Sequence, residues 1–82
     1  MESWKKFEYL SNHGYNEYDF WAEMLQWLPE DEMNEFKEHM QDMYDIESTE
    51  DIDEKLLWDE MVQYLPEDVL KEFADDFESL YL

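Results

Sequence analysis

Cysteine and arginine are missing from this chain, and glycine occurs once, as Gly14. Without cysteine there is no disulfide to staple a small fold and no thiolate to hold a metal. One glycine and two prolines supply little of the turn chemistry that a sheet of short strands needs, so strands are not expected. No apolar run is long enough to span a bilayer. The start, Met1-Glu2-Ser3-Trp4-Lys5-Lys6, lacks the apolar stretch of a signal peptide, so the expectation is a soluble, cytoplasmic protein. Positive charge is the scarcest commodity: five lysines face 25 Asp and Glu, a net charge of −20 on 82 residues. That balance excludes direct binding to nucleic acid and to anionic membranes. It favours a basic partner drawn in by long-range attraction.

What is present is a repeat. Trp21-Ala22-Glu23-Met24-Leu25-Gln26-Trp27-Leu28-Pro29-Glu30-Asp31 returns 37 residues later as Trp58-Asp59-Glu60-Met61-Val62-Gln63-Tyr64-Leu65-Pro66-Glu67-Asp68. The echo continues through Glu35/Glu72, Phe36/Phe73 and Tyr44/Tyr81, with 11 of the 25 pairs from Trp21/Trp58 to Asp45/Leu82 identical. Two copies are too few for a solenoid and describe a duplicated helical hairpin. One small domain results, 1–82, divided into an N-terminal helix (1–15), a first helical hairpin (16–45) and a second (46–82).

Helix signals follow in order. Ser3 is placed to cap a helix over 4–12, with Gly14 as its left-handed stop. Asn16 is placed to cap the next, which carries Phe20, Trp21, Met24, Leu25 and Leu28 at helical spacing. Pro29 ends it and suits the first position of the following helix, with Glu30, Asp31 and Glu32 favoured in the first turn by the helix dipole. There Met33, Phe36, Met40 and Met43 form an apolar stripe, and Asp31, Glu35, Glu38, Asp42 and Asp45 an acidic one about 170° away. Ser48 or Thr49 is expected to cap a fourth helix bearing Ile52, Leu56, Leu57, Met61, Val62 and Leu65. After Pro66 the pattern repeats, with Val69, Leu70, Phe73, Phe77 and Leu80 opposite Asp68, Glu72 and Asp75. The fold class is therefore all-α: a short N-terminal helix plus two repeated helical hairpins in a small bundle.

Chemistry finds little purchase. Asp45, Glu47, Thr49, Asp51 and Asp53 occupy the alternating positions of a calcium loop. Glu50 stands where the loop needs Gly, and Leu56 where it needs a bidentate Glu, so the segment is expected to be a solvated acidic linker. His13 and His39 are isolated, and no glycine-rich loop or activated nucleophile occurs. The expectation is a protein that is not an enzyme and carries no metal or cofactor. The fifteen aromatics and six Met are expected to be mostly core, with a minority lining an exposed apolar groove. Trp21, Trp58, Trp27 and Tyr64 fall outside the tightest stripe.

Acid-only ridges cost self-repulsion that alternating Lys would have avoided. Duplex DNA carries one charge per ~1.7 Å, so ~30 Å of it, the width of a domain this size, presents on the order of 18 charges. Carboxylates held on rigid helices match that charge, and the expectation is a DNA mimic that binds a DNA-binding enzyme. Glu23-x-x-x-x-Leu28-Pro29-Glu30-Asp31, and more closely Glu60-x-Val62-x-x-Leu65-Pro66-Glu67-Asp68-Val69, resembles a stretch of the phage uracil-DNA glycosylase inhibitors. The resemblance implies a phage-encoded inhibitor, acting in a bacterial host, that fills the enzyme's DNA cleft. It implies that Glu23 or Glu60, with Glu30/Asp31 or Glu67/Asp68, stand in for phosphates. It also implies that Met24, Leu25, Met61 and Val62, with the neighbours Trp27 and Tyr64, form a pocket for an apolar side chain of the enzyme. Glu35, Glu38 and Glu72 join the phosphate-like set through the ridges. The family has Ser and a β-edge strand where this chain has Met and helical periodicity, so the likeness does not extend to the fold. Alternatives are a mimic directed at a restriction or CRISPR nuclease, and an immunity protein or adaptor for a basic nuclease or toxin.

Overall fold

The computed structural model describes residues 3–82. Five α-helices account for most of them: α1 (Ser3–Asn12), α2 (Glu17–Trp27), α3 (Glu30–Tyr44), α4 (Glu54–Tyr64) and α5 (Glu67–Tyr81). A single 3-10 turn at Thr49–Asp51 joins α3 to α4, and no strand occurs among the described residues. The protein is all-α. The repeat is kept to the residue: α4 and α5 begin and end 37 positions after α2 and α3.

Local chemistry explains the boundaries. Gly14 adopts φ +100°, and the Gly14 N–H to Ser11 and Tyr15 N–H to Leu10 bonds close α1 in a Schellman motif. Asn16 caps α2 by accepting from the N–H groups of Tyr18 and Asp19 at 3.0 and 3.1 Å. Asp19 returns the bond by accepting from the Asn16 N–H, a complete capping box. Leu28 and Leu65, each before a proline, turn extended (ψ 137° and 145°) and end α2 and α4. Pro29 and Pro66 then sit at the N-cap rather than inside the helix. Their ψ is extended, while their carbonyls accept the first helical bonds, from Met33 and Leu70 at 3.0 and 3.1 Å.

Two expected caps and one expected stripe residue are reassigned. Ser3 lies within α1 as described; its hydroxyl reaches across to Glu67 on α5 instead of its own helix. Ser48 caps only the 3-10 turn, and Asp53 caps α4 by accepting from the Lys55 N–H at 2.8 Å. Asp45, expected on the acidic stripe, falls just past α3 in the left-handed region (φ 52°), where its N–H and that of Ile46 satisfy the Gln41 carbonyl. The acidic linker therefore spends Asp45, Ser48 and Asp53 on backbone closure. Ile52 precedes α4 instead of lying on it, and Leu56 is exposed.

The core runs through all five helices. Phe20, Phe36, Phe73, Phe77, Met24, Met40 and Met61 are closed to solvent, as are Leu10 and Leu70. Trp21 and Trp58, off the tightest stripe in sequence, are buried as well: α2 lies along α4, Trp21 packs on Phe36 at 5.9 Å, and Trp58 packs on Phe7 and Phe20 at 5.2 and 5.5 Å. Met43 and Leu80, at the far ends of the α3 and α5 stripes, are exposed. α1 lies along α5, driving Phe7 between Phe20, Trp58 and Phe73 with ring centroids 5.3, 5.2 and 6.2 Å away.

The two copies interlock. Trp27 of the first packs edge-on to Phe73 of the second at 5.3 Å, and Tyr64 of the second packs on Phe36 of the first at the same distance. Those contacts exchange under the 37-residue offset. Residue i meets j while the copy of j meets the copy of i, as in an isologous two-fold interface folded into one chain.

Candidate functional site

The outer faces of α3 and α5 carry the carboxylates. Glu30, Asp31, Glu35 and Glu38 are exposed on α3 and Glu67, Asp68 and Glu72 on α5, while Met33, Phe36, Met40, Leu70, Phe73 and Phe77 of the same helices are buried. The stripes predicted from periodicity are thus real faces. The Cα atoms span 36 × 22 × 20 Å, an elongated body. Among the described residues, salt bridges belong to one lysine, Lys6, which sits against Glu78 and lies 3.7 Å from Asp75. The hydrogen bond with Glu78, helped by the field of Glu78 and Asp75, raises the Lys6 ammonium above its ordinary value. Most of the acidic surface is left uncompensated by a paired lysine.

Two carboxylates that the repeat motif singles out are not free. The Tyr81 hydroxyl donates to Glu23 Oε2 at 3.0 Å, and the Tyr44 hydroxyl donates to Glu60 Oε1 at 3.2 Å. Both glutamates are half-buried. These bonds again exchange under the offset, so each copy's last tyrosine holds the other copy's motif glutamate. The Glu23 bond raises the Tyr81 phenol above its ordinary value; for Tyr44, partial burial does most of this and the Glu60 bond adds to it. Glu67 is tied too: the Ser3 backbone N–H and hydroxyl both donate to it, the latter at 2.9 Å, and hold its carboxyl below the usual glutamate value. Glu23, Glu60 and Glu67 are fixed charges with structural work to do. Glu30, Asp31, Glu35, Glu38, Asp68 and Glu72 are exposed without such a hold.

The expected apolar pocket divides. Met24 and Met61 are wholly enclosed between α2 and α4 and do not line any opening, which corrects their assignment. A fully buried side chain cannot receive a partner's side chain without opening the core. Val62 is half-buried and packs on the core. Tyr64 is exposed at 38%, and Trp27 donates its indole N–H to Asp76 at 2.7 Å. Leu25, at 43% exposure, does line open space. Two shallow grooves meet at Leu25 and Lys37. One runs past Trp21, Leu57 and Ile52, the other past Leu28, Pro29 and Glu30.

Sequence reasoning missed the structural roles of Tyr44, Tyr81 and Asp76, and the place of Lys37 in the groove. The first two were visible as an identical pair in the repeat, a position where both copies keep a hydroxyl. Among the described residues, no group of three or more His, Asp or Glu is arranged to hold a metal ion, and no helix is long and apolar enough to cross a membrane. No protein-family model matches this chain, and neither a curated protein nor a solved structure matches it.

Proposed function

We propose that this protein is an acidic DNA mimic that inhibits a DNA-processing enzyme by occupying its DNA-binding cleft. One observation carries the reading: rigid helices hold unpaired carboxylates along an elongated body whose charge matches a duplex of its own length. A 36 Å length of duplex carries about 21 charges at one per ~1.7 Å, beside a net charge of −20 here. Solubility alone calls for a net charge of only about 2–8 on a small domain.

Glu30, Asp31, Glu35, Glu38, Asp68 and Glu72 are the phosphate stand-ins that the exposed faces favour. Glu23, Glu60 and Glu67 add to the field from fixed positions. Uracil-DNA glycosylase is the first target, on the strength of the Leu-Pro-acid-acid motif. The test is a uracil-excision assay with a bacterial enzyme at physiological salt. Complete inhibition near one-to-one stoichiometry supports the reading and its target. Absence of inhibition there, together with inhibition of a restriction or CRISPR nuclease, moves the target and keeps the mimicry. Failure to compete with DNA for any of these enzymes overturns it.

A further inference from the structure

The internal two-fold is unequal in the segments that lead into α2 and α4. The segment before α2 is α1, which packs across onto α5 of the other copy. The segment before α4 is the linker, which packs across onto α3 through the 3-10 turn at Thr49–Asp51. The two lead-in segments are therefore equivalent in place and unequal in size: a ten-residue helix covers α5, and a three-residue turn covers α3.

The α1 berth shows what such a site accepts. Ser3 meets Glu67 at the start of α5, Lys6 meets Asp75 and Glu78 further along, and Phe7 fills the cleft of Phe20, Trp58 and Phe73. Moved by 37 positions, those partners become Glu30, Glu38 and Gln41, and the cleft residues become Leu57, Trp21 and Phe36, which are themselves buried. Open grooves lie along that same track, past Trp21 and Leu57 at one end and Glu30 at the other. Thr49 is buried and Ile52 half-buried there, so the turn fills part of the berth. The remainder is marked by Leu25, 43% exposed where its counterpart Val62 packs on the core. Lys37 lies where the counterpart Ala74 is fully buried.

We infer that the α3 groove is a helix berth for a basic amphipathic helix of a partner protein, seated parallel to α3 with an apolar side chain against Leu25, beside Trp21 and Leu57, and a cation toward Glu38. The berth's shape comes from α1, the helix this chain itself places in the equivalent site. Two of the five lysines, Lys5 and Lys6, lie on that helix, and it has no acid in its first turn. The charge of the occupant follows from the net −20, which repels a second copy and attracts a basic chain. The inference rests on reading the protein as a binder of basic proteins, and it adds an apolar anchor that phosphate mimicry does not require.

The probe is a labelled synthetic peptide of residues 1–15 with Glu2→Lys and Glu8→Lys, added to the full 82-residue protein and followed by amide NMR shifts and anisotropy. Saturable binding is expected, with shifts centred on Leu25, Lys37, Thr49 and Ile52. Lys37→Ala should tighten it several-fold, since it removes a cation and opens the groove. Leu25→Asp should weaken it about tenfold or more although it adds negative charge. Phe7→Ala with Leu10→Ala in the peptide should abolish it. Shifts centred on Ala74 and Glu78 would mean exchange with α1 and overturn the inference. So would binding that ignores Leu25→Asp and the peptide's Phe7, which would leave a diffuse charge effect. A protein that sediments as a dimer with α3 at its interface would make a second copy the occupant and overturn it equally. No enzyme enters this test, so its outcome is independent of the inhibition assay.

Discussion

The Tyr81 hydroxyl donates to Glu23 Oε2 at 3.0 Å, joining the last turn of α5 to the middle of α2 across 58 residues of chain. Its counterpart, Tyr44 to Glu60 at 3.2 Å, does the same in the opposite sense. Tyr44→Phe and Tyr81→Phe should each lower the melting temperature, by similar amounts because the sites are equivalent, and the double variant should show the sum. A thermal melt of the three variants checks this. An effect at one site alone would break the equivalence of the copies.

Ser3 offers a test of pH linkage. Its N–H and hydroxyl hold Glu67 below the usual glutamate value. A group whose folded pKa is depressed stabilises the fold above its unfolded pKa and loses that contribution as pH falls through the folded value. Ser3→Ala should therefore be less stable than the parent at neutral pH. The gap should shrink as the pH drops through the folded pKa of Glu67. Melting curves of both proteins from pH 7 into the acid range measure the gap; a gap that stays constant would mean the hydroxyl acts through packing.

Asp45 holds a left-handed conformation (φ 52°) at the end of α3, where Gly14 serves the same purpose at the end of α1. A non-glycine residue costs roughly 1–2 kcal/mol there. Asp45→Gly should stabilise the protein by about 1 kcal/mol, part of it offset by the greater freedom glycine gains when unfolded. Chemical denaturation reads the change directly. A loss of stability would show that the Asp45 side chain holds the linker.

Met24 and Met61 separate core from contact surface. Each is fully buried, so Met→Ala should cost about 2–5 kcal/mol. Inhibition per folded molecule should be unchanged. Glu35→Gln with Glu72→Gln should do the reverse, leaving the fold intact while slowing association with a basic target, more so at low salt. Glu47→Gln in the linker should matter less than that pair. Equal effects from all three acids would reduce the ridges to a diffuse field.

Salt should raise the melting temperature from its low-salt value. The net charge is −20, and lysines are paired with few of the acids. A flat response in a salt series of thermal melts would mean the charges are better compensated than the pairing indicates.

The helices were legible in the chain itself because their determinants are local. Periodic apolar residues, the Asn16 capping box, Gly14 and the two Leu-Pro steps each act within a turn or two. The Asp53 cap was legible as well, since it stands 37 positions after Asn16, yet Ser48 and Thr49 are equally good cap residues by type. Periodicity also separated the acidic from the apolar faces of α3 and α5, because one face must be buried for either helix to be stable. It could not say against what. Two hairpins packed side by side and two copies interlocked carry the same stripes. Only the tertiary structure decided that Trp27 rests on Phe73 and Tyr64 on Phe36, that Met24 and Met61 are closed off in the core, and that Glu23 and Glu60 are claimed by tyrosines from the opposite copy. Those outcomes depend on which distant surface reaches each face first and closes the most apolar area, a choice made between segments far apart in the chain.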